Sequence, residues 1–268
     1  MTAPARALMI NGLRCALVAW LDARGRPCAG EFRRKRDHVV LARWRAGDGT
    51  TVRWRGERRH ALPAALREER DSLVRALLAG PQRSVPPAAS AAARRRQTQA
   101  LLRQLAIDPA TRAGYRPPPC EEPARLALAG RDHGSRELWL REDAAHAWRA
   151  MRAAAHADGV ELLAVSGFRS AEYQAGLVAR KLARGQPLST ILKVSALPGH
   201  SEHHLGTTLD LHGGDGPALE SGFEATAAFA WLQAHAARFG FAMSYPRDNP
   251  WGIAYEPWHW RYRRAGRP

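Results

Sequence analysis

The sequence predicts an α+β protein, and three observations carry that reading. Of its 268 residues, 45% are hydrophobic and 25% charged, a balance that suits a globular chain with a sizeable core. Short apolar runs separated by turn signals fill the first sixty residues, which is the pattern of strands. From about residue 137 helical and strand patterns alternate.

Taken in order, residues 7–56 read as short strands. Cys15–Trp20 and Val39–Trp44 are apolar runs bounded by turn signals at Asp22–Gly25 and Ala46–Gly49, and Thr50–Arg55 reads as the return strand of a hairpin. Residues 61–79 are rich in Ala, Leu, Arg and Glu and predict a helix. Ser84–Ala93 has linker composition, a second helix follows over about 91–105, and Pro117–Pro119 breaks the chain. Asp143 is placed to cap a helix reaching Ala157, which Asp158-Gly159 ends. Glu161–Phe168 predicts a short buried strand. Ser170 is placed to cap a helix over about 171–184, ended by Gly185. Thr207–Leu211 predicts a strand, 223–238 an amphipathic helix closed by Gly240, and Phe241–Tyr245 and Tyr255–Tyr262 two further strands. The expected division is a basic β-rich region over 1–60, a helical and linker region over 61–118, and a third region over 119–268.

Charge is unevenly placed. The net charge is +16, and only Lys35, Lys181 and Lys193 among the 41 basic residues are lysines. Residues 1–115 hold 23 Lys and Arg against 9 Asp and Glu, whereas nine of the 11 histidines lie beyond them. The first segment therefore carries the field, with polyanion contact as an expectation, and the second carries the groups that titrate near neutral pH. No zinc-finger or RNA-binding signature accompanies the charge, so no specific nucleic-acid partner is predicted. The apolar run Ala7–Leu21 is interrupted by Arg14, too short for a membrane span and unlike a signal peptide. Cys15, Cys28 and Cys120 are too few and too scattered for a disulfide framework or a cysteine-only zinc site; they read as free buried thiols, with a Cys15–Cys28 bridge as the alternative.

Two clusters concentrate groups able to hold a metal: Pro198–His212, written PGHSEHHLGTTLDLH, and Glu256–Arg261, written EPWHWR. On a helix His203 and Asp210 would lie about 10.5 Å apart, too far to share one ion. Gly206 and the Thr207-Thr208 pair disfavour a helix there, and a loop leading into a strand could return His203 toward Asp210.

Ser201–Asp210 resembles the S-x-H-x-x-G-x-x-x-D motif of the VanY-type D-alanyl-D-alanine carboxypeptidases, peptidase family M15. Glu256–His259 is similar to that family's E-x-W-H, and Ser166–Gln174 to its S-G-[YF]-R-S-x-x-Y-Q. Phe241–Pro246 and Gly252–Trp260 are similar to its C-terminal block. The resemblance covers about 137–265, in the family's order and spacing, and does not reach 1–115. It implies a Hedgehog/DD-peptidase-like fold, a small antiparallel sheet with flanking helices. It also implies one zinc ion held by His203, Asp210 and His259, and hydrolysis of the terminal D-alanyl-D-alanine bond of peptidoglycan stem peptides by metal-activated water. Glu256 would be the general base, Arg169 would face the scissile carbonyl, and Gln174, Ser201 and Tyr245 would hold the terminal D-alanine. Thr208 stands where relatives often have Ala.

Several alternatives stay open at this point. The same site could serve a D,D-dipeptidase, an L,D-carboxypeptidase or a peptidoglycan endopeptidase, or the chain could be a polyanion- or wall-binding protein with an inactive peptidase region. His200, His204 and His212 lie close enough to compete as ligands. Glu202 is set aside as the base because neighbours on a strand point to opposite faces. Trp258 and Trp260 read as cleft and core packing, and His38, His60, His133 and His235 as structural or solvated. The implied substrate places the protein in the bacterial cell envelope or periplasm. The absence of a convincing export signal leaves the cytoplasm open.

Overall fold

A computed structural model describes residues 7–46, 52–55, 62–78 and 91–263. The expected turn at Gly47–Gly49, His60 and the 84–90 part of the linker lie outside the described residues. The first half supplies β1 (Ala7–Asn11), β2 (Cys15–Leu21), β3 (Pro27–Arg34), β4 (Val40–Ala46) and β5 (Val52–Arg55), then α1 (Ala64–Leu78), α2 (Ala91–Gln104) and α3 (Pro109–Gly114). The second supplies β6 (Arg125–Arg131), β7 (Glu137–Leu140), α4 (Glu142–Ala157), β8 (Leu163–Ser166), α5 (Ala171–Ala183), α6 (Leu188–Val194), β9 (Thr208–His212), α7 (Ala227–His235), β10 (Phe241–Met243) and β11 (His259–Tyr262).

These strands form two antiparallel sheets, ordered β5-β4-β3-β2-β1-β6-β7 and β10-β11-β9-β8. β2 shows why the first forms. Alternate residues of a strand face opposite sides, and both sides of this one are covered. Cys15, Leu17 and Ala19 pack with Phe32, Trp44, Leu73 and Leu77 under α1, whereas Ala16 and Val18 pack with Met9, Leu126 and Trp139. A strand buried on both faces reads as the continuous apolar run seen in the sequence. Gly30 of β3 lets the Trp44 indole cross over the strand and donate to the Val18 carbonyl at 3.1 Å.

β6 and β7 follow the proline break yet complete the first sheet, with Met9 opposite Leu126 and Leu8 opposite Ala127. A buried ionic group ties the two sequence halves together. Glu122 meets Lys35 Nζ at 2.5 Å and Arg94 at 3.3 Å, and accepts from Ala171 N at the start of α5. Much of the N-terminal positive charge is paired within the fold, as in Arg33 with Glu31 and Glu137, and Arg34 with Asp37.

The second sheet packs on α4 and α7 through Leu140, Trp148, Met151, Leu209, Leu211, Leu232 and Phe241. Ser170 caps α5 as expected, accepting from Tyr173 N at 3.1 Å. Other boundaries differ from expectation. α4 begins at Glu142 with Arg141 at its cap, and Asp143 sits in the first turn, paired with Arg141. A carboxylate is favoured there by the helix dipole without capping. The 223–238 helix is α only over α7, because Thr226 is extended and caps at Phe229 N, with 3₁₀ turns on either side. β11 starts at His259 and leaves Tyr255–Trp258 irregular. Among the described residues, no helix is long and apolar enough to cross a membrane.

Candidate active site

Backbone geometry brings the two sequence clusters together. Ser201 leads into a 3₁₀ turn over Glu202–Leu205, which ends on Gly206 in the left-handed region at φ 64°. A Cβ there would sit 3.1 Å from Arg141 N, so glycine is needed both for the dihedral and for the space. The turn folds His203 back over β9, where Asp210 lies between β8 and β11 with Ser166 and His259 as its register partners.

His203 Nε2 lies 3.2 Å from Asp210 Oδ2, and His259 Nδ1 lies 3.2 Å from Asp210 Oδ1. The three residues are buried, and one ligand atom from each falls within 4.8 Å of the others. His203 Nδ1 donates to the Gly167 carbonyl at 2.7 Å, which leaves Nε2 as the lone-pair nitrogen facing Asp210. Two imidazole nitrogens and one carboxylate oxygen form a set that zinc takes, with room for a further ligand. The surrounding charge fits a cation. Burial holds the His203 imidazole below its ordinary range despite Asp210. Burial also opposes a charge on His259, yet hydrogen bonds to Asp210 and Glu202 and the nearby Glu256 raise it to about 10. Three carboxylates thus converge on one imidazole.

Glu256 lies on the open side, with Oε2 at 3.5 Å from His259 Nδ1 and its backbone N–H bonded to Tyr245 O. Burial raises its carboxyl to about 7, with Asp210 and Glu202 adding to the effect. Arg169 donates to Ser166 Oγ at 3.2 Å and to Gln174 Oε1 at 3.1 Å, and its guanidinium lies 3.6 Å from Asp210 Oδ2. A cavity of about 460 Å³ opens on this group, walled by Arg169, Ser201, His203, Asp210, Tyr245, Glu256, His259, Lys181 and Trp258 among others. Tyr245 packs on His259 with ring centroids 4.5 Å apart, and burial keeps its hydroxyl protonated.

Seven of the eight expected site residues therefore line one cavity. Gln174 does not reach its wall: it is 0% exposed, with its amide spent on Arg169 and on the Ala196 carbonyl at 2.7 Å. The three other histidines are held by backbone. His200 Nδ1 donates to Pro117 O. His204 donates to Arg169 O and accepts from Gly199 N, while His212 donates to Gly216 O and accepts from Gly214 N. Trp260 is core and Trp258 lines the cavity.

Sequence reasoning missed the place of Glu202. It stands on the 3₁₀ turn rather than on a strand, so strand alternation does not govern where it points. One oxygen meets His259 Nε2 at 3.1 Å and the other accepts from Arg261 at 2.7 Å. Its carboxyl is held at about 2, because these partners outweigh its burial. The available signal was an acid directly beside a candidate ligand, because a carboxylate buried there needs a partner.

Known proteins extend the picture. The profile described as VanY, D-alanyl-D-alanine carboxypeptidase, matches residues 137–265. The bifunctional D-Ala-D-Ala dipeptidase and D-Ala-D-Ala carboxypeptidase VanXYC of Enterococcus gallinarum is 32% identical over 149 residues, covering 53% of this chain and 75% of that protein. A D-alanyl-D-alanine carboxypeptidase of Enterococcus faecalis is 36% identical over 119 residues, covering 41% of this chain and 42% of the relative. Two curated relatives are spanned over less than half of their length, 46% and 42%. The solved LdcB LD-carboxypeptidase aligns with a TM-score of 0.50 at 32% identity, covering 54% of this chain and 71% of that one. With the site's geometry and a 32%-identical relative spanned over three quarters of its length, the chain belongs to the VanY family of D-alanyl-D-alanine carboxypeptidases.

Proposed function

We propose that the protein is a zinc metallopeptidase that removes the terminal D-alanine from peptidoglycan stem peptides, acting in the cell envelope. The observation that carries this reading is the buried His203–Asp210–His259 group at the floor of a cavity that Glu256 and Arg169 also enter. The peptidase region is taken as 119–268, with β6 and β7 lent to the N-terminal sheet.

His203, Asp210 and His259 would hold the ion. A bound zinc polarises a carbonyl and lowers the pKa of water toward 7. Glu256 Oε2 is placed to take a proton from the attacking water and return it to the leaving amine. Arg169, fixed by Ser166 and Gln174, offers its guanidinium to the carbonyl oxygen as negative charge develops. One such donor is worth about 2.7–4 kcal/mol of barrier. Ser201 and Tyr245 line the same cavity and would hold the terminal residue. Gln174 acts through Arg169 rather than by touching substrate.

The likeness to LdcB favours a second reading, an L,D-carboxypeptidase. Mass spectrometry of products separates the two. The zinc-loaded protein is expected to release one D-alanine from a pentapeptide ending in D-Ala-D-Ala and to leave the matching tetrapeptide intact. Cleavage of the tetrapeptide alone supports the L,D reading, and release of the dipeptide D-Ala-D-Ala contradicts both.

A further inference from the structure

A second cavity of about 470 Å³ lies where the N-terminal sheet meets the peptidase region. It shares Arg136, Val165, Ser166, Arg169 and Tyr173 with the cavity over His203, Asp210 and His259, so the two hollows adjoin along that wall. Its size falls within the roughly 300–1,000 Å³ of ligand pockets. Met9 of β1, Ala16 of β2, Trp139 of β7 and Phe168 supply apolar wall. The rim is cationic. Arg33, Arg34 and Lys35 are already spent on carboxylates. Arg131 is different: it is exposed and donates to the Ser135 carbonyl, a neutral partner, at 2.6 Å. Arg136 is 67% exposed and held by Asp132 through Nε. On the facing side His38 takes a left-handed φ of 58° and lies 5.3 Å, ring to ring, from Tyr173.

We propose that this second cavity is a subsite for the part of a peptide substrate on the N-terminal side of the cut bond, and that Arg131 meets a carboxylate on that part. The inference rests on the peptide-hydrolase reading above. The reading above gives the terminal residue to Ser201 and Tyr245 in the first cavity. The acyl side then needs room beyond that cavity, and the adjoining hollow across the shared Ser166–Arg169 wall is the candidate. The N-terminal sheet, of which β7 alone falls within the family match, then belongs to the substrate-binding surface. Binding energy from a remote part of a substrate raises kcat/KM when it is realised in the transition state.

The test compares N-acetyl-D-Ala-D-Ala with N-acetyl pentapeptides ending in D-Ala-D-Ala that carry Glu, Gln or Lys two or three residues from the carboxyl end. The full-length zinc-loaded protein is expected to favour the Glu peptides over Gln by tenfold or more in kcat/KM. Arg131→Glu is expected to cut that preference below threefold and shift it toward Lys. Equal rates for Glu, Gln and Lys, or an unchanged preference in Arg131→Glu, overturn the proposal. Fluorescence anisotropy of a labelled Glu pentapeptide separates this inference from the hydrolytic reading. Binding that Arg131→Glu weakens, without any turnover, keeps the subsite and sinks the hydrolytic reading. No binding by the wild type sinks the subsite.

Discussion

His259 Nε2 lies 3.1 Å from the Glu202 carboxylate, on the ring edge opposite the Nδ1 that faces Asp210 at 3.2 Å. A carboxylate behind a metal-binding imidazole fixes its tautomer and aim, and losing such a partner typically weakens metal binding 10–100-fold. Glu202→Ala is therefore expected to lower zinc affinity by about that factor, measured by competition with a chromophoric chelator. Glu202→Gln, which keeps an acceptor without the charge, is expected to fall between. Wild-type affinity in Glu202→Ala, in protein shown to be folded by circular dichroism, would contradict the assignment.

Glu122 sits buried among Lys35, Arg94, Asn11 and the Ala171 N–H, joining the first sheet to α5. Removing one member of a buried ionic group leaves uncompensated charge, a loss of about 3–5 kcal/mol. Urea unfolding of Glu122→Ala should show a loss of that size. A change below about 1 kcal/mol would mean that the cluster does not hold the halves together.

Glu172 gives the stability a pH dependence. It accepts from Gln97 Nε2 at 2.6 Å, and burial raises its carboxyl to about 7, with Glu122 and Glu69 adding to the effect of burial and Lys35 opposing it. The folded state then binds this proton more tightly than the unfolded one does. The contribution is fully present below about pH 4.5 and is lost as pH rises through 7. Glu172→Gln removes that slope, so the variant should gain on the order of 1–3 kcal/mol over the wild type at pH 8. At pH 4.5 the two should be alike. Urea midpoints at the two pH values check this, and an equal difference at both would contradict it.

The site was legible in sequence because its chemistry lies in short blocks. Gly206, Thr207 and Thr208 disfavour a helix between His203 and Asp210, and the turn the structure contains is the one that lets both face a single point. What was not legible depends on pairing over long separations. Leu8 meets Ala127 across the first sheet, and Lys35 meets Glu122 across 87 positions. Neither partner carries a local mark of the other. The partners of the N-terminal basic residues were equally illegible: Arg33, Arg34, Lys35 and Arg94 find carboxylates in the fold that composition cannot assign, while the net charge of +16 is unchanged by such pairing. Gln174 looked like a substrate contact from its motif position, and its burial behind Arg169 depends on the Ala196 carbonyl, 22 residues away.

In the proposed reaction Glu256 moves the proton at a centre built by His203, Asp210 and His259. Its most direct test is D-alanine release by Glu256→Gln, measured alongside the zinc content of the same preparation. Glu256→Gln is expected to hold about one zinc per chain, as the wild type is, with D-alanine release reduced at least 10²-fold, the scale of a positioned proton-transfer group. Release at the wild-type rate from zinc-loaded Glu256→Gln would contradict it.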